Sequence, residues 1–156
     1  MKVENMNLII QGTQNTLNMV CGEGGKLGKI SVKGNPYKND QISVIIGVVG
    51  DLKGELIFTM DRESGLYLAS KIMVGFDVPE LNDMAKSAVS ELANMISGNA
   101  ASALFSGGVN VDITPPVFVS EGEIDKFGFV KPGSKIICMP MQLTGGRAIE
   151  INLHLS

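Results

Sequence analysis

Residues 87 to 99 read SAVSELANMISGN, and Glu91 and Asn94 are the two side chains there whose types and spacing could do chemistry. A carboxylate and a carboxamide three positions apart are neighbours across one helical turn and can touch the same object. The pair can accept from a water or a cation while the amide NH₂ donates. From Ser87 to Leu104, Glu91 is the one ionisable side chain. With Ser87 at zero on a helical wheel, Glu91 falls at about 40°, Asn94 at about −20° and Gly98 at about 20°. These four residues form a seam pointing away from the apolar stripe of Ala85, Val89, Leu92, Ile96 and Ala103, which centres near about 170°. Gly98 would let an object on the seam approach the backbone closely. A polar seam opposite an apolar stripe is also what plain solvation of a surface helix gives. Two features point instead to a partner. The seam is flanked by Ala88 and Met95 and not by charges, and asparagine is a poor helix-interior residue because its side chain competes for backbone hydrogen bonds.

Other chemistries find little support. His154 is the only histidine, which nearly removes the Ser-His-Asp, Cys-His and multi-histidine metal chemistries. Cys21 and Cys138 lack the paired spacing of a zinc or redox motif and read as two semi-buried thiols, with one disulfide as the other possibility. The stretch GEGGKLGK, Gly22 to Lys29, resembles a phosphate loop but has Glu23 where glycine is needed and Ile30 where Ser or Thr is needed. It reads as a connector. Asp112, Glu121, Glu123 and Asp125 fit no calcium-loop spacing and read as solvated surface. Net charge is −3, from 13 basic and 16 acidic residues. No basic stripe offers a nucleic-acid surface. The N-terminal MKVENMNLII lacks a signal-peptide core and no apolar run approaches the ~18 residues of a membrane span. The expectation is a cytoplasmic protein with no membrane and no nucleic-acid partner.

The elements that must position the seam follow from periodicity. The 156 residues suit a single domain over 1–156. Met6, Ile9, Thr13, Leu17 and Val20 predict a first helix over 4–20, stopped by Gly22, Gly24 and Gly25. A strand near KISV precedes a turn at KGNP. QISVIIGVV and GELIFTM predict a hairpin around GDLKG. ESGLYLASKIM predicts a short helix ending at Gly75. For the central helix, Asp77, Pro79 and Glu80 offer a capping box, and Gly107 and Gly108 end the run. GVNVDI, PVFVS, SKIICMPMQL and RAIEINLHLS predict strands, the last two joined at TGG, with Pro140 arguing for an edge or a bulge.

An internal repeat links the halves. NTLNMVCGE from Asn15 matches ELANMISGN from Glu91 at a constant shift of 76, so Asn18 pairs with Asn94, Met19 with Met95 and Gly22 with Gly98. Each helix is later followed by a β-hairpin. The predicted fold is α+β, with an antiparallel or mixed sheet packed against two long helices in pseudo-duplicated helix-plus-hairpin halves.

SAVSELAN resembles the signature of the CheC/CheX/FliY family of response-regulator phosphatases: Asp or Ser, Glu four positions on, Asn three further, and a downstream proline. Ser87, Glu91, Asn94 and Pro115 or Pro116 fit it, and the resemblance spans essentially the whole chain. On the first helix Gln11, Asn15 and Asn18 occupy the matching positions, so the asparagine is kept and the glutamate is not. Asn18 is then either a degenerate relic or a weak second site. One complete site makes the chain look most like CheX, which implies a homodimer. The resemblance implies a chemotaxis phosphatase for the aspartyl phosphate of a CheY-like receiver, with Glu91 and Asn94 catalytic and Ser87, Met95 and Gly98 in partner contact. It implies no cofactor of its own, since Mg²⁺ and a lysine would come with the receiver. Two rivals remain at this stage. One is a non-catalytic module binding a receiver or a flagellar-switch component. The other is a purely structural oligomerisation domain, with the Pro140-containing strand near an exposed edge.

Overall fold

The computed structural model describes residues 2–35, 38, 40–123 and 133–155. In chain order the elements are α1 (Val3–Cys21), β1 (Lys26–Leu27), β2 (Ser31–Lys33), β3 (Ile42–Gly50), β4 (Gly54–Met60), α2 (Arg62–Ile72), α3 (Asp83–Ser106), β5 (Val111–Ile113), β6 (Val117–Val119), β7 (Ile136–Gln142) and β8 (Ala148–Leu155). The pairings are antiparallel throughout. The sheet has eight strands in the order β1-β7-β8-β4-β3-β5, with β2 also on β7 and β6 also on β3. This is the expected α+β fold.

The sheet order reads the same when the two halves are exchanged. β4 and β8 lie side by side at the centre, β3 and β7 flank them, and the short strands after each helix pair with the other half's hairpin. The repeat at a shift of 76 is therefore built into the topology as a pseudo-two-fold arrangement. Each half completes the other's sheet.

Alternation decides which side chains meet the helices. Ile42, Val44, Ile46 and Val48 of β3, Phe58 and Met60 of β4, Met139 and Met141 of β7, and Ile151 and Leu153 of β8 join Leu17, Leu68, Leu92 and Ile96 in one core. The other face is buried at its centre too, by Ile45, Ile57, Ile136, Cys138 and Asn152. That is why β3 reads as a continuous apolar run and not as an alternating one. Asn152 is held there by donating from Nδ2 to the Ile57 carbonyl at 3.1 Å and to Thr59 Oγ1 at 3.3 Å. The helix pair α1–α3 packs closely at Gly12, where a Cβ would come within 3.3 Å of the Ala100 nitrogen. Asn99 Nδ2 donates to Thr16 Oγ1 across that contact at 2.7 Å. Among the described residues no helix is long and apolar enough to cross a membrane.

Two expectations need correction. The central helix begins at Asp83, not after Asp77: Asn82 is the cap and accepts from the Ala85 N–H at 2.9 Å. Pro79 disfavours helical backbone at Val78, and Val78 and Leu81 are buried ahead of the helix. Ala103 is only half-buried, and Ala100 and Leu104 complete the core stripe in its place. Pro140 is not on an edge strand, but it does sit at a bulge: Leu27 faces Met141 and Ser31 faces Cys138, so residues 28–30 oppose residues 139–140. Its strand is flanked by β8 on one side and by β1 and β2 on the other, and Pro140 falls in the interval between those two short strands. There it needs only its carbonyl, which accepts from the Gly28 N–H at 2.8 Å. β7 lies next to the sheet edge, which the short β1 and β2 form. The KGNP turn includes Pro36, which lies outside the described residues.

Candidate functional site

α3 spans 24 residues, roughly 36 Å at 1.5 Å per residue. Its inner face carries Ala85, Val89, Leu92, Ile96 and Ala100 into the core. The outer seam carries Ser87 and Glu91 exposed, and Asn94, Met95 and Gly98 half-buried. Ala88, read as a seam neighbour, is buried against the core. Among the described residues the side chains of Glu91 and Asn94 make no hydrogen bond or ion pair within the chain. A Cβ built on Gly98 meets nothing within 4 Å. The seam is thus a carboxylate, a carboxamide and a bare stretch of helix backbone, rigidly held and unengaged.

Ser87 and Glu91 line a surface cleft of about 440 Å³ together with Asp83, Lys86, Ser90, Pro116 and Phe118. Pairing of β6 with β3 brings Phe118 opposite Val44 and so places Pro116 beside the helix. Of the two prolines considered, Pro116 is the one that reaches the cleft. The Lys86 ammonium sits 5.8 Å from the Phe118 ring centroid. Lys86, Ser90 and Phe118 were missed in the sequence. Lys86 carried a signal, as the only cation of α3. Phe118 carried none, because its place depends on long-range strand pairing.

The corresponding face of α1 is also exposed. Gln11, Asn15 and Asn18 line a groove of about 540 Å³ with Leu8, Gly12, Met19, Asn99 and Ala103. Its far wall is α3 itself, and its polar lining is all carboxamide.

A cavity beneath Ser97 and Leu104 holds about 20 Å³ and is apolar. That is room for about one water. Cys21 and Cys138 are free and buried. Burial first, and then the charge of Glu23, pushes the Cys21 thiol up to about 11. Burial likewise raises Cys138. Neither can supply a thiolate at neutral pH. His154 is committed to Glu55, Nδ1 to Oε2 at 2.8 Å. No group of metal-ligating residues exists among the described residues. Of the suspected acidic set, Glu121 is not free surface: Arg62 grips it with two donors at 2.9 Å each. Asp125 lies outside the described residues.

Glu23, read only as a break in a phosphate loop, is a buried structural group. It accepts from the Tyr67 hydroxyl, from the Thr144 N–H at 3.2 Å and from Thr144 Oγ1 at 3.1 Å. Burial pushes its carboxyl up, but the Tyr67 and Thr144 hydrogen bonds, with Lys71 nearby, outweigh that and hold it below the usual range. It ties the end of α1 to α2 and to the β7–β8 turn.

The family described as chemotaxis phosphatase CheX matches residues 42–142. The chain is 31% identical over 151 residues to the CheY-P phosphatase CheX of Thermotoga maritima, covering 97% of this chain and 94% of that one. A structure of the CheX-CheY-BeF3-Mg²⁺ complex from Borrelia burgdorferi is similar at TM-score 0.81 and 28% identity, covering 99% of both chains. The fold is shared with a CheC-like superfamily protein from a Shewanella species, at TM-score 0.84 and 24% identity, covering 100% of this chain and 99% of that one.

Proposed function

This chain belongs to the CheX family of chemotaxis phosphatases, and we propose that it accelerates hydrolysis of the aspartyl phosphate of a CheY-like receiver by lowering the α3 seam into the receiver's phosphorylated pocket. The observation that carries this reading is the seam itself: Glu91 and Asn94, a turn apart on a rigid helix, unengaged by their own chain. An acyl phosphate is already reactive, and its transfer depends mainly on positioning and electrostatics. Asn94 accepts from the attacking water through its carbonyl oxygen and holds it in line with phosphorus, while its NH₂ remains free to donate to the phosphoryl oxygens or the partner. Fixing a near-attack water is worth several kcal/mol, within a ceiling of about 7–11. Glu91 pairs with the receiver's lysine and orients the docked helix, an ion pair strengthened by exclusion of water. As a general base it would be weak, because an ordinary glutamate has a pKa of about 4.3. Ser87 and Met95 pack beside the partner, and Gly98 admits its backbone.

Mg²⁺ belongs to the receiver in this scheme. The ion appears in the name of the Borrelia complex, and this chain offers no ligand set among its described residues. A homodimer, as the family resemblance implies, is part of the same proposal. The test is phosphate release from a phosphorylated CheY-like receiver with Mg²⁺. Wild type should shorten the phosphate lifetime and Asn94→Ala should not. Equal lifetimes with wild type and without it would remove the proposal.

A further inference from the structure

The cleft beside Glu91 has an unusual charge balance. Of its seven lining residues two are acidic, Asp83 and Glu91, and one, Lys86, is basic. Lys86 is also the only cation on α3. Among the described residues no carboxylate lies within ion-pair reach of it. The nearby Glu121 is already gripped by Arg62, and Lys86 rests instead near the face of Phe118.

From this arrangement we infer that Lys86 is the docking cation for the phosphorylated receiver, pairing with the carboxylate-rich rim of its phosphorylation pocket. The inference rests on the phosphatase reading and names a specificity-determining residue for it. A pocket that binds Mg²⁺ beside an aspartyl phosphate is built from carboxylates, so it presents negative potential. A helix approaching it with Asp83 and Glu91 alone meets like charge, which disfavours encounter. Lys86 offsets one of these two charges and is the one group at the cleft that can pair with a carboxylate. Phe118 keeps the long side chain beside the cleft, so less freedom is lost on docking. Pairing at the rim, away from phosphorus, assists encounter and binding and not the chemical step.

The test is steady-state turnover of a phosphorylated CheY-like receiver with Mg²⁺ by wild type, Lys86→Gln and Lys86→Arg, at low salt and at about 0.5 M salt. Lys86→Gln should raise KM roughly tenfold at low salt with kcat nearly unchanged, the gap should shrink severalfold at high salt, and Lys86→Arg should restore most of the loss. An unchanged KM, or a loss carried mainly by kcat, overturns the inference and leaves the phosphatase reading intact. If wild type shows no turnover, that reading fails instead. Lys86 is then judged by binding of the beryllofluoride-loaded receiver: weaker binding of Lys86→Gln sustains the docking role, and equal affinity overturns it.

Discussion

α1 and α3 share one sequence pattern in different surroundings. Asn18 matches Asn94, Gly22 matches Gly98 and Glu23 matches Asn99. In α1 the glycine is a stop: Gly22 adopts φ 66°, and its N–H donates to the Asn18 carbonyl at 3.1 Å to end the helix. In α3 the same glycine sits inside a helix that continues to Ser106. Glu23 then ties the end of α1 into its surroundings, whereas Asn99 reaches back to Thr16 of the partner helix. The half-buried amide of α3 therefore lies in the middle of a rod beside the cleft walled by Pro116 and Phe118, and the exposed one of α1 lies at the end of a shorter rod beside α3. Asn15 replaces the glutamate there as well. One motif thus yields a helix with an unengaged outer seam or a helix tied into its surroundings, according to where the helix ends and what stands beside it.

The largest effect should separate the two asparagines. Asn94→Ala should reduce stimulated dephosphorylation by roughly two orders of magnitude or more, in line with loss of a positioned water, while Asn18→Ala leaves the rate within about twofold in the same phosphate-release assay. A comparable loss from Asn18→Ala would make α1 a second site. Installing the missing carboxylate sharpens the point. In an Asn94→Ala background, Asn15→Glu should restore nothing, because α1 lacks the proline-walled cleft. Recovered turnover would show that α1 was one residue short of function.

Glu91→Ala should weaken receiver binding and turnover together, by roughly tenfold for a desolvated ion pair. A titration of the beryllofluoride-loaded receiver reads the binding part.

Smaller effects concern stability. Glu23→Gln should cost about 1–3 kcal/mol by disturbing a buried charged acceptor, visible as a lowered midpoint in denaturant. Its carboxyl is held low in the folded chain, so its contribution is fully present above the unfolded value of about 4.3. It is lost as pH falls through the folded value. The gap between wild type and variant should be steady from about pH 7 to 5 and narrow in more acid solution.

The two glycines should give the smallest changes, with opposite signs. Gly22→Ala forces a left-handed residue and should destabilise by about 1 kcal/mol. Gly98→Ala fills open space in a helix and should stabilise by up to about 1 kcal/mol. If the receiver backbone packs at Gly98, that stabilised variant binds it less well, which the same titration would detect.

Much of this was readable from residue order, for a physical reason in each case. Helical periodicity located α1 and α3, and the alternation of small and apolar residues gave the seam, since a surface helix records its two faces in sequence. β3 and β4 declared themselves by β-branched runs around a turn. The start of α3 was misplaced because Asp77 and Glu80 satisfy a local capping pattern, while burial of Val78 and Leu81 is a tertiary fact. The bulge at Pro140 was legible from the proline, but its place in the interval between β1 and β2 exists only once both have paired with β7. Phe118 and Glu23 were hidden for the same reason: what makes each of them matter comes from a distant part of the chain.

The most direct measurement is single-turnover decay of a phosphorylated CheY-like receiver with Mg²⁺, followed with wild type and with an Asn94→Ala variant of unchanged thermal stability. The account predicts that wild type shortens the phosphate lifetime by about a hundredfold or more and that the variant, though folded and still able to bind, leaves it at the unassisted value. Equal acceleration by both proteins would contradict it.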